Sequence, residues 1–164
     1  MRTALVASAL ALCLTSAHSQ RSDIVREAAP QTGTKLRQTI SKATLYPLTK
    51  TWSEFTPEEK ARLRQFYETM GENDEPPFPI DGLGESTREL AARAGRLNYQ
   101  GELRIHVTVD ATGRAKSIDF VKYVDFEAAK SLAYVLVKTK YKPALCAGVP
   151  CEMQFPFYFT LVLR

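Results

Sequence analysis

The chain has 164 residues, 45% hydrophobic and 24% charged, with a formal net charge of +4 at pH 7. That length suits one domain and a tail, and the composition excludes a wholly disordered or fibrous chain. The basic residues are scattered rather than gathered in one stripe, so the weak positive excess excludes the electrostatic footprint of a nucleic-acid binder.

The N-terminus reads as a secretory leader. Arg2 supplies the positive charge, the stretch 4–14 is apolar or small apart from Ser8, and Ala17-His18-Ser19 places small residues at −3 and −1 before Gln20. The apolar run is well short of the roughly 20 residues that span a bilayer, so cleavage after residue 19 is expected. Lipidation at Cys13 is disfavoured because the large Leu12 precedes it. Losing Arg2 from the 22 basic residues leaves 21 against 18 acidic ones, a net charge of +3. Cys146 and Cys151 then remain, and an even pair in a secreted chain points to a disulfide. The bracketed Ala147-Gly148-Val149-Pro150 reads as a turn whose two arms the bridge would staple. Zinc would need four ligands, and beyond these thiols the mature chain offers one histidine, His106.

Residues 20–50 are polar, basic and interrupted by Pro30, Gly33 and Pro47, which reads as a flexible or loosely docked segment. A helix is expected over 56–70: Thr56 caps, Pro57 takes the first position, Glu59 completes a capping box, and Ala61, Leu63, Phe66, Tyr67 and Met70 recur at helical spacing up to Gly71. Trp52 and Phe55 stand where they can staple onto its first turns. The stretch 72–79 holds three prolines in its last four residues and reads as extended; its acidic cluster lacks the ligand spacing of a calcium loop. A second helix is expected over 86–96, capped by Ser86 or Thr87, with Leu90, Ala91 and Ala94 on one face.

From residue 103 the period changes to two. Leu103, Ile105, Val107 and Val109 point one way and Arg104, His106, Thr108 and Asp110 the other, so a half-buried strand is expected, then a tight turn at Ala111-Thr112-Gly113 and a returning strand over 115–124. Asp125 caps a third helix whose apolar face is Phe126, Ala129, Leu132, Ala133, Leu136 and Val137. Pro143 ends that run. After the cysteine turn the stretch 153–163 alternates again, and Pro156 within it predicts a strand at the edge of its sheet. Strand, strand, helix, strand makes an α+β protein: a small antiparallel sheet with helices packed on one face.

Six short motifs now stand in order. They are Pro77-Phe78-Pro79, Gly101-Glu102-Leu103, Val109-Asp110-Ala111-Thr112-Gly113, Lys140-Tyr141-Lys142-Pro143-Ala144, Gly148-Val149-Pro150 and Phe155-Pro156-Phe157-Tyr158-Phe159. Together they make residues 76–163 resemble the C-terminal domain of TonB, which couples inner-membrane energy to outer-membrane transporters. The resemblance implies a domain over 51–164 with an added N-terminal helix, placed in the periplasm. It also implies that the last strand takes up a partner, an envelope protein or peptide such as a transporter's N-terminal segment, by edge pairing. The residues so implicated are Gln154, Pro156, Tyr158 and Thr160, and the same edge would let two copies pair. TonB itself carries a transmembrane anchor and a long Pro-rich spacer. The short leader and missing spacer here put direct energy transduction in doubt, although an uncleaved leader would make the chain a short membrane-anchored transducer.

Enzyme chemistry has little to stand on. Serine catalysis wants Ser, His and Asp converging, and His106 reads as an exposed residue on the polar face of its strand. A CxxxxC pair is not the CxxC of thiol exchangers. No Gly-rich phosphate loop occurs. A non-enzymatic protein without cofactor or metal is expected.

Overall fold

In the computed structural model the described residues are 25–27, 36, 48–122 and 124–161. The expected leader over 1–19 and most of residues 20–50 therefore lie outside them. Local chemistry starts the helices. Helix α1 (Pro57–Arg64) begins with the capping box the sequence predicts: the Glu59 N–H donates to Thr56 Oγ1 at 3.3 Å and the Thr56 N–H to Glu59 Oε2 at 2.8 Å. Helix α3 (Phe126–Lys138) is capped by Asp125, whose Oδ1 accepts the Ala128 N–H at 3.0 Å. Helix α2 (Gly84–Arg96) starts two residues earlier than expected, and Ser86 is not its cap; the Ser86 hydroxyl donates to the Leu83 carbonyl at 3.2 Å.

The fold is α+β. The main sheet has the order β1 (Val25–Glu27), β4 (Ala115–Phe120), β3 (Gly101–Val109), β8 (Met153–Leu161). The pairs β3–β4 and β3–β8 are antiparallel, and β1 runs parallel to β4, so the sheet is mixed rather than purely antiparallel. The β3–β4 hairpin closes on Asp110, whose Oδ1 accepts the Thr112 N–H at 2.8 Å and the Arg114 N–H at 3.1 Å. Gly113 at φ +82° completes the turn and holds it against the next element: the Tyr141 N–H donates to the Gly113 carbonyl at 3.1 Å. Two small ladders flank the sheet, β2 (Phe78–Pro79) with β5 (Tyr141–Lys142) and β6 (Ala144–Cys146) with β7 (Val149–Cys151). The second is the cysteine hairpin, turned through Ala147 and Gly148 at positive φ and bridged by the Cys146–Cys151 disulfide.

One core runs through the whole. Leu103, Ile105, Val107 and Val109 of β3 are fully buried, as are Leu132 and Leu136 of α3 and Leu90 of α2. Phe78 packs between Phe55 at 5.0 Å, edge-on, and Phe155 at 5.5 Å, edge-on, with Trp52 at 6.2 Å.

Several expectations fail for tertiary reasons. The helix expected over 56–70 stops at Arg64, because Phe66 and Tyr67 leave the helical path to bury against β8, and the Arg64 guanidinium collects the carbonyls of Gly71, Glu72 and Asp74. Strand β4 ends at Phe120 rather than at 124. Ala91 is exposed, and so are Phe126 and Val137, which the periodicity assigns to the buried face of α3. His106 is 3% exposed, not a surface residue. The face of the sheet that carries it is covered rather than wet, with Asp119, Gln154 and Pro156 also buried.

Candidate functional site

The outer flank of β8 is where the sequence places partner binding. Its register on β3 runs without a break from Gly101 opposite Leu161 to Val109 opposite Met153, and among the described residues β8 is the last strand on that side of the sheet. Along a strand, successive residues turn their backbone N–H and C=O to opposite sides. The Tyr67 hydroxyl donates to the Gln154 carbonyl at 2.7 Å, so residue 154 presents its backbone away from β3. The two-residue period then turns Pro156, Tyr158 and Thr160 outward as well. Pro156 falls where its missing N–H costs the β3–β8 ladder nothing, which is why a proline is tolerated in a nine-residue strand.

These four residues share an edge but not an environment. Gln154 is buried and its carbonyl is engaged by Tyr67. Pro156 is buried opposite His106. Tyr158 is half-buried with its ring 6.0 Å from that of Phe66, and its hydroxyl lies 2.6 Å from His106 Nε2. Burial pushes the Tyr158 phenol up to about 12. Its polar tip is therefore turned into the protein. Thr160 is exposed. The turn after α1 thus guards the half of the edge near Gln154, and the half from Tyr158 to Thr160 is the more open one.

Behind the edge lies a buried polar group that the sequence does not reveal. His106 sits opposite Pro156 on one side and Asp119 on the other. Burial lowers its pKa from 6.5 to about 4, so the ring is neutral at pH 7. Its Nδ1 is buried without a hydrogen-bond partner among the described residues. Asp119 accepts from the Ser117 hydroxyl at 3.2 Å, and the Ser117 and Thr108 hydroxyl oxygens lie 2.9 Å apart, with Thr108 free to donate to Ser117. The His106–Tyr158 contact joins residues 52 apart; no spacing rule predicts it, and only the β3–β8 register brings it about.

The cysteine hairpin stands apart from this edge. Its turn is tied down by Asp74, whose Oδ1 accepts the Ala147 N–H at 2.8 Å. Among the described residues no cluster of three or more His, Cys, Asp or Glu could hold a metal ion, and no helix is long and apolar enough to cross a membrane. No protein-family model matches the chain, and no curated protein matches it.

Proposed function

We propose that the chain is a non-enzymatic binding protein of the cell envelope that takes up an extended segment of another protein along the outer flank of β8. The observation that carries this reading is the place of β8 at the end of the sheet, with Tyr158 and Thr160 presenting backbone groups on the side away from β3. An extended partner would gain main-chain hydrogen bonds there, and the side chains around Thr160 would choose it. The likeness of residues 76–163 to the C-terminal domain of TonB supports the same mode. It points to the N-terminal segment of an outer-membrane transporter as the partner and to the periplasm as the place.

Thr160→Pro tests the reading. The outward N–H of residue 160 takes no part in the β3–β8 ladder, so its removal leaves the fold intact and deletes one docking bond while placing the ring in the partner's path. A photo-crosslinker at Glu102 of the full chain, opposite Thr160 in the β3–β8 register, used in the producing cell, should capture the same envelope protein in the wild type and lose it in Thr160→Pro. Undiminished capture by the variant would refute edge pairing.

A further inference from the structure

Helix α3 buries Leu132, Val135 and Leu136 on its inner side and shows an unusual outer one. Phe126 is 70% exposed, Tyr134 48% and Val137 38%. At 3.6 residues per turn, positions 126, 130, 134 and 137 fall within an arc of about 80° and extend for about 16 Å along the axis. The result is an exposed stripe of Phe126, Lys130, Tyr134 and Val137. Such a run of aromatic and aliphatic side chains in water marks a contact surface rather than a solvated face.

Its charge decides what it would contact. Lys130 lies inside the stripe, Lys122 precedes it, and the Lys138 ammonium sits 4.6 Å from the centre of the Tyr134 ring. Arg93 of α2 reaches the same ring at 4.8 Å. Among the described residues Lys122, Lys130 and Lys138 are in no ion pair. Of the nearby acids, Asp125 is committed to the helix cap and Glu89 to Arg93, which leaves Glu127. The surface is thus apolar, aromatic and net positive.

We propose that this outer face of α3 is a second docking surface, and that its occupant is an acidic amphipathic helix of another protein. Apolar side chains of the occupant at i, i+4 spacing rest on Phe126, Tyr134 and Val137, and carboxylates between them meet Lys130 and Lys138. A second copy of the chain is disfavoured, because a two-fold contact centred on this stripe sets Lys130 against its own copy. An anionic bilayer is disfavoured too. Interfacial helices keep a continuous apolar face with cations along its borders, whereas here Lys130 interrupts the stripe. The surface is independent of the β8 edge.

The full chain, isotope-labelled, should be titrated with three peptides of about 18 residues, five helical turns. All carry leucine at the same i, i+4 positions, with Glu, Gln or Lys between them. The Glu peptide should shift the backbone resonances of residues 126–138, with the Gln peptide at least about tenfold weaker and the Lys peptide silent. Lys130→Glu and, separately, Phe126→Ser should each weaken the Glu peptide by about tenfold or more. The proposal is overturned if the Glu and Gln peptides bind alike, if Lys130→Glu changes nothing, or if no peptide shifts α3. It is equally overturned if the chain self-associates through α3 or if phosphatidylglycerol vesicles bind there in place of the peptide.

Discussion

Acid should destabilise this protein through His106. The ring is 3% exposed, its Nε2 lies 2.6 Å from the Tyr158 hydroxyl and its Nδ1 has no partner among the described residues, so a proton added there charges a buried group. Burial holds the folded-state pKa at about 4 against the ordinary 6.5. A folded pKa below the unfolded one means that the unfolded chain binds the proton first. The stability is therefore fully present above about pH 6.5 and is lost as pH falls through about 4. At 1.36 kcal/mol per pH unit, that gap makes about 3 kcal/mol by pH 4. Measured by urea unfolding with a slope near 2 kcal/mol/M, the midpoint should fall by about 1.5 M between about pH 7.5 and pH 4 from this group. His106→Gln offers Tyr158 a partner that does not titrate. Carboxylates with lowered pKa, such as Glu59, Asp74 and Asp110, lose their contributions in both proteins and cancel in the comparison. Equal losses in wild type and variant over that range would refute the buried neutral imidazole.

Other substitutions probe separate parts of the fold. Tyr67→Phe keeps the buried ring and removes the donor to the Gln154 carbonyl, so about 1–2 kcal/mol should go in urea unfolding. Replacing Cys146 and Cys151 together by serine opens a short loop and should cost about 2 kcal/mol in the chain-entropy account, with mass spectrometry of the wild type showing the oxidised form lighter by two hydrogen atoms than the reduced one. Two glycines should respond in opposite directions. At Gly113, with φ +82°, an added Cβ would lie 2.2 Å from the Tyr141 carbonyl oxygen, so Gly113→Ala should cost more than about 3 kcal/mol. At Gly95, inside α2 with open space around it, alanine should add about 0.5–1 kcal/mol, and thermal midpoints separate the two.

What could be read from the sequence was local. Thr56-Pro57-Glu59, Asp125 and the Asp110–Gly113 turn each act within four residues, and each behaves as its chemistry requires. Pro156 announced an end strand because a missing donor is a property of one residue. Long-range partnerships were out of reach. Phe66 and Tyr67 fit a helical stripe, yet they serve a contact with residues 158 and 154, about ninety positions away. His106 alternates correctly as an outward residue of β3, and its burial follows from a cover contributed by another part of the chain. Phe126 and Val137 fail the other way: they fit the apolar period of α3, and nothing in the sequence says that the core is already filled by its neighbours. Strand β1 is three residues in a polar stretch, too short to show a period.

The enclosure of Phe78 bears on how small a piece of this protein can stand alone. Its ring has no exposed surface because Trp52 and Phe55 close it from one side and Phe155 from the other. A fragment starting at residue 76 would shed that lid together with Tyr67, leaving a greasy hollow beside a strand with a newly bared carbonyl. Such a fragment should clump through strand-to-strand contacts, so trimming ought to stop upstream of Trp52.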